Sequence, residues 1–145
     1  MIILKTFYIF KLNREYNKLA KKVPYNVYLL FNTIFRQNKK NLVYAYNLFD
    51  EMCIPINKYF FDEYLYDKLV NDEYYTKYRF VHMYHDYLNN EESKMVIMNT
   101  FIKIKSNKLD NIFINCLLEV DNFFMCDFNS NFYKLCMDKK FVKVK

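Results

Sequence analysis

Between Pro24 and Asn57 the apolar positions recur with helical spacing. Val27, Leu30, Phe31, Ile34 and Phe35 form one stripe, the polar run Arg36 to Asn41 interrupts it, and Ala45, Leu48, Phe49 and Met52 resume it. Two helices and a turn are the simplest reading, an αα-hairpin over residues 26–57. A shift of 35 residues lays Phe80, Met83, Tyr84 and Tyr87 over Ala45, Leu48, Phe49 and Met52, as a repeated hairpin would. With small gaps, Phe113, Cys116, Leu117 and Val120 fall on the same four positions. The pattern predicts helices over about 6–22, 26–38, 41–54, 58–70, 73–89, 93–105, 108–125 and 129–139, with Asn41 as N-cap of the third. The expected fold class is all-α: stacked antiparallel helical hairpins forming a short α-solenoid of seven or eight helices. One domain is expected, with a basic N-terminal helix or transit-like segment at 1–22, three hairpins over 23–125, and a C-terminal helix and basic tail at 126–145.

Composition sharpens this picture. Glycine and tryptophan are absent, alanine occurs twice, and lysine outnumbers arginine nineteen to three, while tyrosine and phenylalanine occur fifteen times each. Residues with AT-rich codons dominate, which points to an AT-rich nuclear or organellar genome and strips the aromatic count of much functional meaning. Without glycine, tight hairpins and phosphate loops lose their usual positive-φ residue, so a β-rich fold, a Rossmann motif and a P-loop are disfavoured, with asparagine as the natural substitute in turns. Cys53, Cys116, Cys126 and Cys136 have neither CxxC nor zinc spacing and read as reduced, buried thiols of an intracellular, reducing compartment. No apolar run approaches a membrane span. Charge is uneven: residues 1–44 carry a net +8, residues 45–93 a net −6 and residues 94–145 a net +4. A basic head and tail offer contact to a polyanion or an acidic partner.

Several stretches resemble a known family. FNTIF (Phe31–Phe35) and MNTFI (Met98–Ile102) are similar to the first-helix pattern of pentatricopeptide repeat proteins, and AYNLFDEM (Ala45–Met52) followed by Ile54-Pro55-Ile56-Asn57 is similar to the second. The resemblance spans about residues 23–125, lacks the turn glycines, and has Phe61-Asp62-Glu63 where the second asparagine word would sit. It implies single-stranded RNA binding along a concave surface, with Asn32, Asn57 and Asn99 touching base edges and Lys39, Lys40, Lys103, Lys105 and Lys108 holding phosphates.

Catalytic constellations are not evident. His82 and His85 lie three apart beside Asp86, which on a helix would put both rings on one face, but two ligands do not make a metal site. Asp50-Glu51 and Glu91-Glu92 have no partner for acid–base work, and no Ser, Cys or Lys sits in a nucleophile context. The expected protein is a non-enzyme without cofactor, metal or small-molecule substrate. Its expected function is binding RNA or a ribonucleoprotein in organellar gene expression; the alternative is a protein-interaction or scaffold subunit of a large mitochondrial assembly.

Overall fold

The computed structural model describes residues 3–36 and 42–136. Twelve elements follow in order: β1 (Lys5–Phe10), α1 (Arg14–Lys22), α2 (Pro24–Phe35), α3 (Leu42–Met52), α4 (Lys58–Leu69), β2 (Tyr75–Tyr78), β3 (Val81–Asp86), β4 (Glu91–Ile97), β5 (Ile102–Ser106), α5 (Ile112–Leu117), β6 (Phe123–Asp127) and β7 (Phe132–Cys136). The strands form one antiparallel sheet in the order β2-β3-β4-β5-β1-β6-β7. The fold is therefore mixed α/β, and the all-α solenoid of stacked hairpins is wrong.

Local chemistry explains the helices that do form. Asn13 caps α1, its side chain accepting from the Tyr16 amide at 2.9 Å, while Glu15 sits in the first turn and Lys21 and Lys22 in the last. Pro24 opens α2, where its missing N–H costs nothing. Asn57 caps α4 and Asn111 caps α5 in the same way as Asn13. The hairpin over α2 and α3 and the helix α4 match three expected helices; Asn41, the expected cap of α3, lies outside the described residues.

Elsewhere the helical expectation fails because alternation wins. The expected helix 6–22 splits into β1 and α1; 73–89 becomes the hairpin β2–β3; 93–105 becomes β4 and β5; 108–125 keeps only α5 before β6; and 129–139 holds β7. In β5, Ile102 and Ile104 are buried while Lys103 and Lys105 point the other way, a period of two that no helix can satisfy. The glycine argument against hairpins also fails. Asn90 and Asn131, at φ 51° and 54°, take the left-handed conformation in two of the turns, and Arg79, at 54°, takes it between β2 and β3. With a seven-stranded antiparallel sheet where a helical solenoid was expected, the pentatricopeptide-repeat resemblance is wrong.

Helices cover the two sheet faces unequally. On one face Phe7 and Ile9 of β1, Met95 and Ile97 of β4, Ile102 and Ile104 of β5, and Phe123 and Met125 of β6 pack with Phe61, Leu65 and Leu69 of α4 and Phe113 and Leu117 of α5. On the other, Phe10, Phe124 and Cys126 pack under Ala20 of α1, Val27, Tyr28 and Phe31 of α2, and Met52 of α3. The second group covers the β1-β6-β7 side only. On the β2-β5 side of this face Thr76, Met83, Lys94 and Lys105 are exposed.

Candidate interaction surface

Residues of α2, α3 and β1 together line an apolar cleft of about 280 Å³. Its floor is fixed by aromatic packing. Phe10 stacks on Phe31 with centroids 4.1 Å apart, Phe49 meets Phe10 edge-on at 5.8 Å, and Phe35 stacks on Phe128 at 4.5 Å. Leu42, Tyr46 and Phe101 complete the walls, and Asp50 supplies the one charge among the lining residues. Among the described residues the rim is open: Phe35, Leu42 and Tyr46 are exposed. A cluster of exposed aliphatic and aromatic side chains at the mouth of an apolar hollow is the usual mark of a binding surface.

Tyr8 connects this cleft to a second feature. Its ring lines the cleft, and the Lys103 ammonium lies 5.8 Å from the ring centroid. Beyond it the open half of the sheet carries Lys105 paired in register with Lys94, and Met83 beyond Lys94. Among the described residues neither Lys94 nor Lys105 makes an ion pair.

The expected RNA-contact residues are scattered. Asn32 is half-buried on α2 and accepts from the Arg36 side chain at 2.9 Å; Asn57 is spent as the cap of α4; Asn99 is exposed in the β4–β5 connection, its carbonyl receiving the Ile56 amide at 2.7 Å. The concave surface that would align them is absent with the solenoid. Lys103 and Lys105 do share the open face, whereas Lys108 ties the β3–β4 turn through the Asn89 carbonyl at 2.5 Å. Lys39 and Lys40 lie outside the described residues. Sequence reasoning missed the cleft role of Phe35 and Phe49, which helical spacing places in the apolar stripes of the hairpin, and of Leu42 and Tyr46, which it does not single out.

Two further groupings have structural explanations. His82 and His85 sit on strand β3, so they face opposite sides: His82 is wholly buried and His85 exposed. The His82 ring bridges Tyr75 Oη, 2.7 Å from Nδ1, and Asp62 Oδ1, 2.8 Å from Nε2, and the other Asp62 oxygen meets Lys77 Nζ at 2.8 Å. Neutral His82, accepting from the tyrosine and donating to the carboxylate, satisfies every group. Burial lowers its pKa, opposed by the hydrogen bond to Asp62. An imidazole with no exposed surface cannot reach a substrate, and the chain acts as a tie between α4 and the β2–β3 hairpin. Asp86 closes the β3–β4 turn, its carboxyl held below the usual range chiefly by the Asn89 side-chain amide.

Among the described residues no group of three His, Cys, Asp or Glu side chains is placed to hold a metal ion, and no helix is long and apolar enough to cross a membrane. Cys53, Cys126 and Cys136 are free buried thiols and Cys116 is buried as well. No protein-family model matches this chain, and comparison with curated proteins finds no match.

Proposed function

We propose that this chain is a non-enzymatic protein-interaction module that seats apolar side chains of a partner segment in the cleft between α2 and α3. The observation that carries the reading is the open cleft itself, walled by Phe35, Leu42, Tyr46 and Phe49, of which Phe35, Leu42 and Tyr46 are exposed. A folded chain gains nothing from displaying these side chains to water, since each large one costs about 1.5–3 kcal/mol relative to burial. A partner's amphipathic helix would recover part of that on docking. Scaffold or adaptor work in a larger assembly fits this chemistry better than base reading, which relied on asparagines that the fold spends or separates. The reading includes an intracellular, reducing setting, an organelle such as the mitochondrion among them. Its support there is the free thiols, burial pushing that of Cys53 up to about 12 and that of Cys136 up to about 11.

The test uses fluorescein-labelled amphipathic peptides carrying Leu or Phe at i, i+3, i+4 and i+7, followed by anisotropy. Saturable binding is expected, and Tyr46→Asp should weaken it at least tenfold while the exposed control Tyr59→Asp on α4 leaves it unchanged. Equal binding by Tyr46→Asp, or no saturable binding across the panel, overturns the proposal.

A further inference from the structure

We propose that the segment taken by the cleft is acidic as well as apolar, its carboxylates lying along Lys103, Lys105 and Lys94 on the open half of the sheet. The inference rests on the protein-binding reading above and names the chemical class of the partner.

The geometry runs in one line from the cleft. Phe101 lines it, and Lys103 and Lys105 follow at alternate positions of the same chain on the same face. Each two-residue step advances about 6.8 Å. An extended or helical partner with an apolar side chain over Phe101 therefore brings its next residues above the two lysines in turn. Lys94 stands beside Lys105 in cross-strand register, widening the positive strip to two strands.

That pairing is unfavourable by itself. Like charges directly opposite one another on a sheet destabilise it, and the described residues place no carboxylate against either ammonium. On the β2–β5 strands of this face the one carboxylate is Glu92, a row further along and opposite His85. Among the described residues of the open face, Glu92 therefore stands alone against Lys94, Lys103 and Lys105. An anion covering Lys94 and Lys105 would relieve the repulsion.

A nucleic acid strand also supplies anions but brings flat bases to a cleft whose walls include the aliphatic Ile34, Leu42 and Ala45, which branched apolar side chains fill better. Nor does Tyr8 offer a free ring for base stacking. Its ring already packs against Phe35, Phe101 and Phe128 with centroids 5.5 to 5.7 Å apart, and Lys103 occupies another approach. An acidic, apolar peptide satisfies both surfaces at once.

The experiment compares three labelled peptides with one apolar anchor set and Glu, Gln or Lys at the following polar positions, titrated into the full chain at 50 and 300 mM salt. The Glu peptide should bind about three- to tenfold more tightly than the Gln peptide at low salt, the gap expected of a few exposed ion pairs. That advantage should disappear at high salt and in Lys94→Gln/Lys105→Gln, whose affinity for the Gln peptide stays unchanged. Tyr46→Asp should weaken Glu and Gln peptides alike. Equal binding of Glu and Gln peptides by the wild-type chain overturns the acidic partner while leaving the cleft reading intact. Loss of all peptide binding, or indifference to Tyr46→Asp, overturns both. Displacement of the Glu peptide by a single-stranded oligonucleotide at lower concentration than by unlabelled Glu peptide also overturns it, in favour of a nucleic acid on the lysine strip.

Discussion

The two faces of the sheet are built from the same strands yet serve different ends. The face under α4 and α5 carries an apolar core that reaches all seven strands, from Tyr75 of β2 to Cys136 of β7, and its buried imidazole is satisfied on both nitrogens. The face under α1, α2 and α3 is covered on one side only, and where the helices stop it turns aromatic at the cleft and cationic beyond. One face carries the stability and the other is left unfinished. Among the described residues one face and half of the other are covered, and the uncovered part is neither random nor polar throughout.

Mutations should separate these roles. Leu65→Ala, at a fully buried position of α4, should remove about 3 kcal/mol of stability in urea unfolding, the usual cost of a cavity in a closed core. Tyr46→Asp should change stability by less than about 0.5 kcal/mol. If the two losses were comparable, the division between faces would be wrong.

Asp62→Ala should cost about 2 kcal/mol, because it strands the buried His82 N–H and frees Lys77. The same tie predicts a pH dependence. His82 has a lowered pKa in the folded state, so between that value and about 6.5 the unfolded chain binds more protons than the folded one. Stability is therefore full above about pH 6.5 and falls as the pH drops, by at most ~1.4 kcal/mol per pH unit, until the folded-state pKa is passed. His82→Gln should flatten this slope; unchanged acid sensitivity in that variant would assign it to another group.

Smaller effects sharpen the contrast. Arg79→Gly should stabilise the β2–β3 hairpin by about 0.5 kcal/mol, since a side chain at φ 54° carries a steric cost that glycine avoids, partly offset by chain entropy. Lys94→Glu should raise stability by a few tenths of a kcal/mol, about 0.3, by turning a like-charged pair with Lys105 into an attractive one. Thermal unfolding of each variant against wild type reads both.

The sequence was legible where one period had no competitor. Pro24 and Pro55 bracket α2 and α3, and their apolar stripes survive in the structure as helices. Elsewhere a chain that is 53% hydrophobic offers matches at i, i+3 and i+4 almost anywhere, and those matches hid a plainer signal. Ile102-Lys103-Ile104-Lys105 alternates strictly, whereas β3 alternates in burial alone, with polar His82 and Asp86 inward and apolar Met83 outward. The family resemblance offers Lys103 and Lys105 as phosphate contacts on a helical repeat, yet they share a face because they belong to a strand. The cleft was illegible because its walls come from α2, α3, β1 and the β6–β7 turn, and only the topology brings Phe35, Phe49 and Phe128 together. Absent glycine misled most directly, since Asn90, Asn131 and even Arg79 bend the chain in its place.

The position of β1 governs how such a chain assembles. Although first in sequence it lies between β5 and β6, pairing Tyr8 with Lys103 on one edge and with Cys126 on the other. During synthesis this strand must wait, both edges bare, until β5 and β6 have emerged to receive it. Slow, long-range closure of this kind leaves the nascent chain dependent on whatever shields Phe7, Ile9 and Phe10 in the interval.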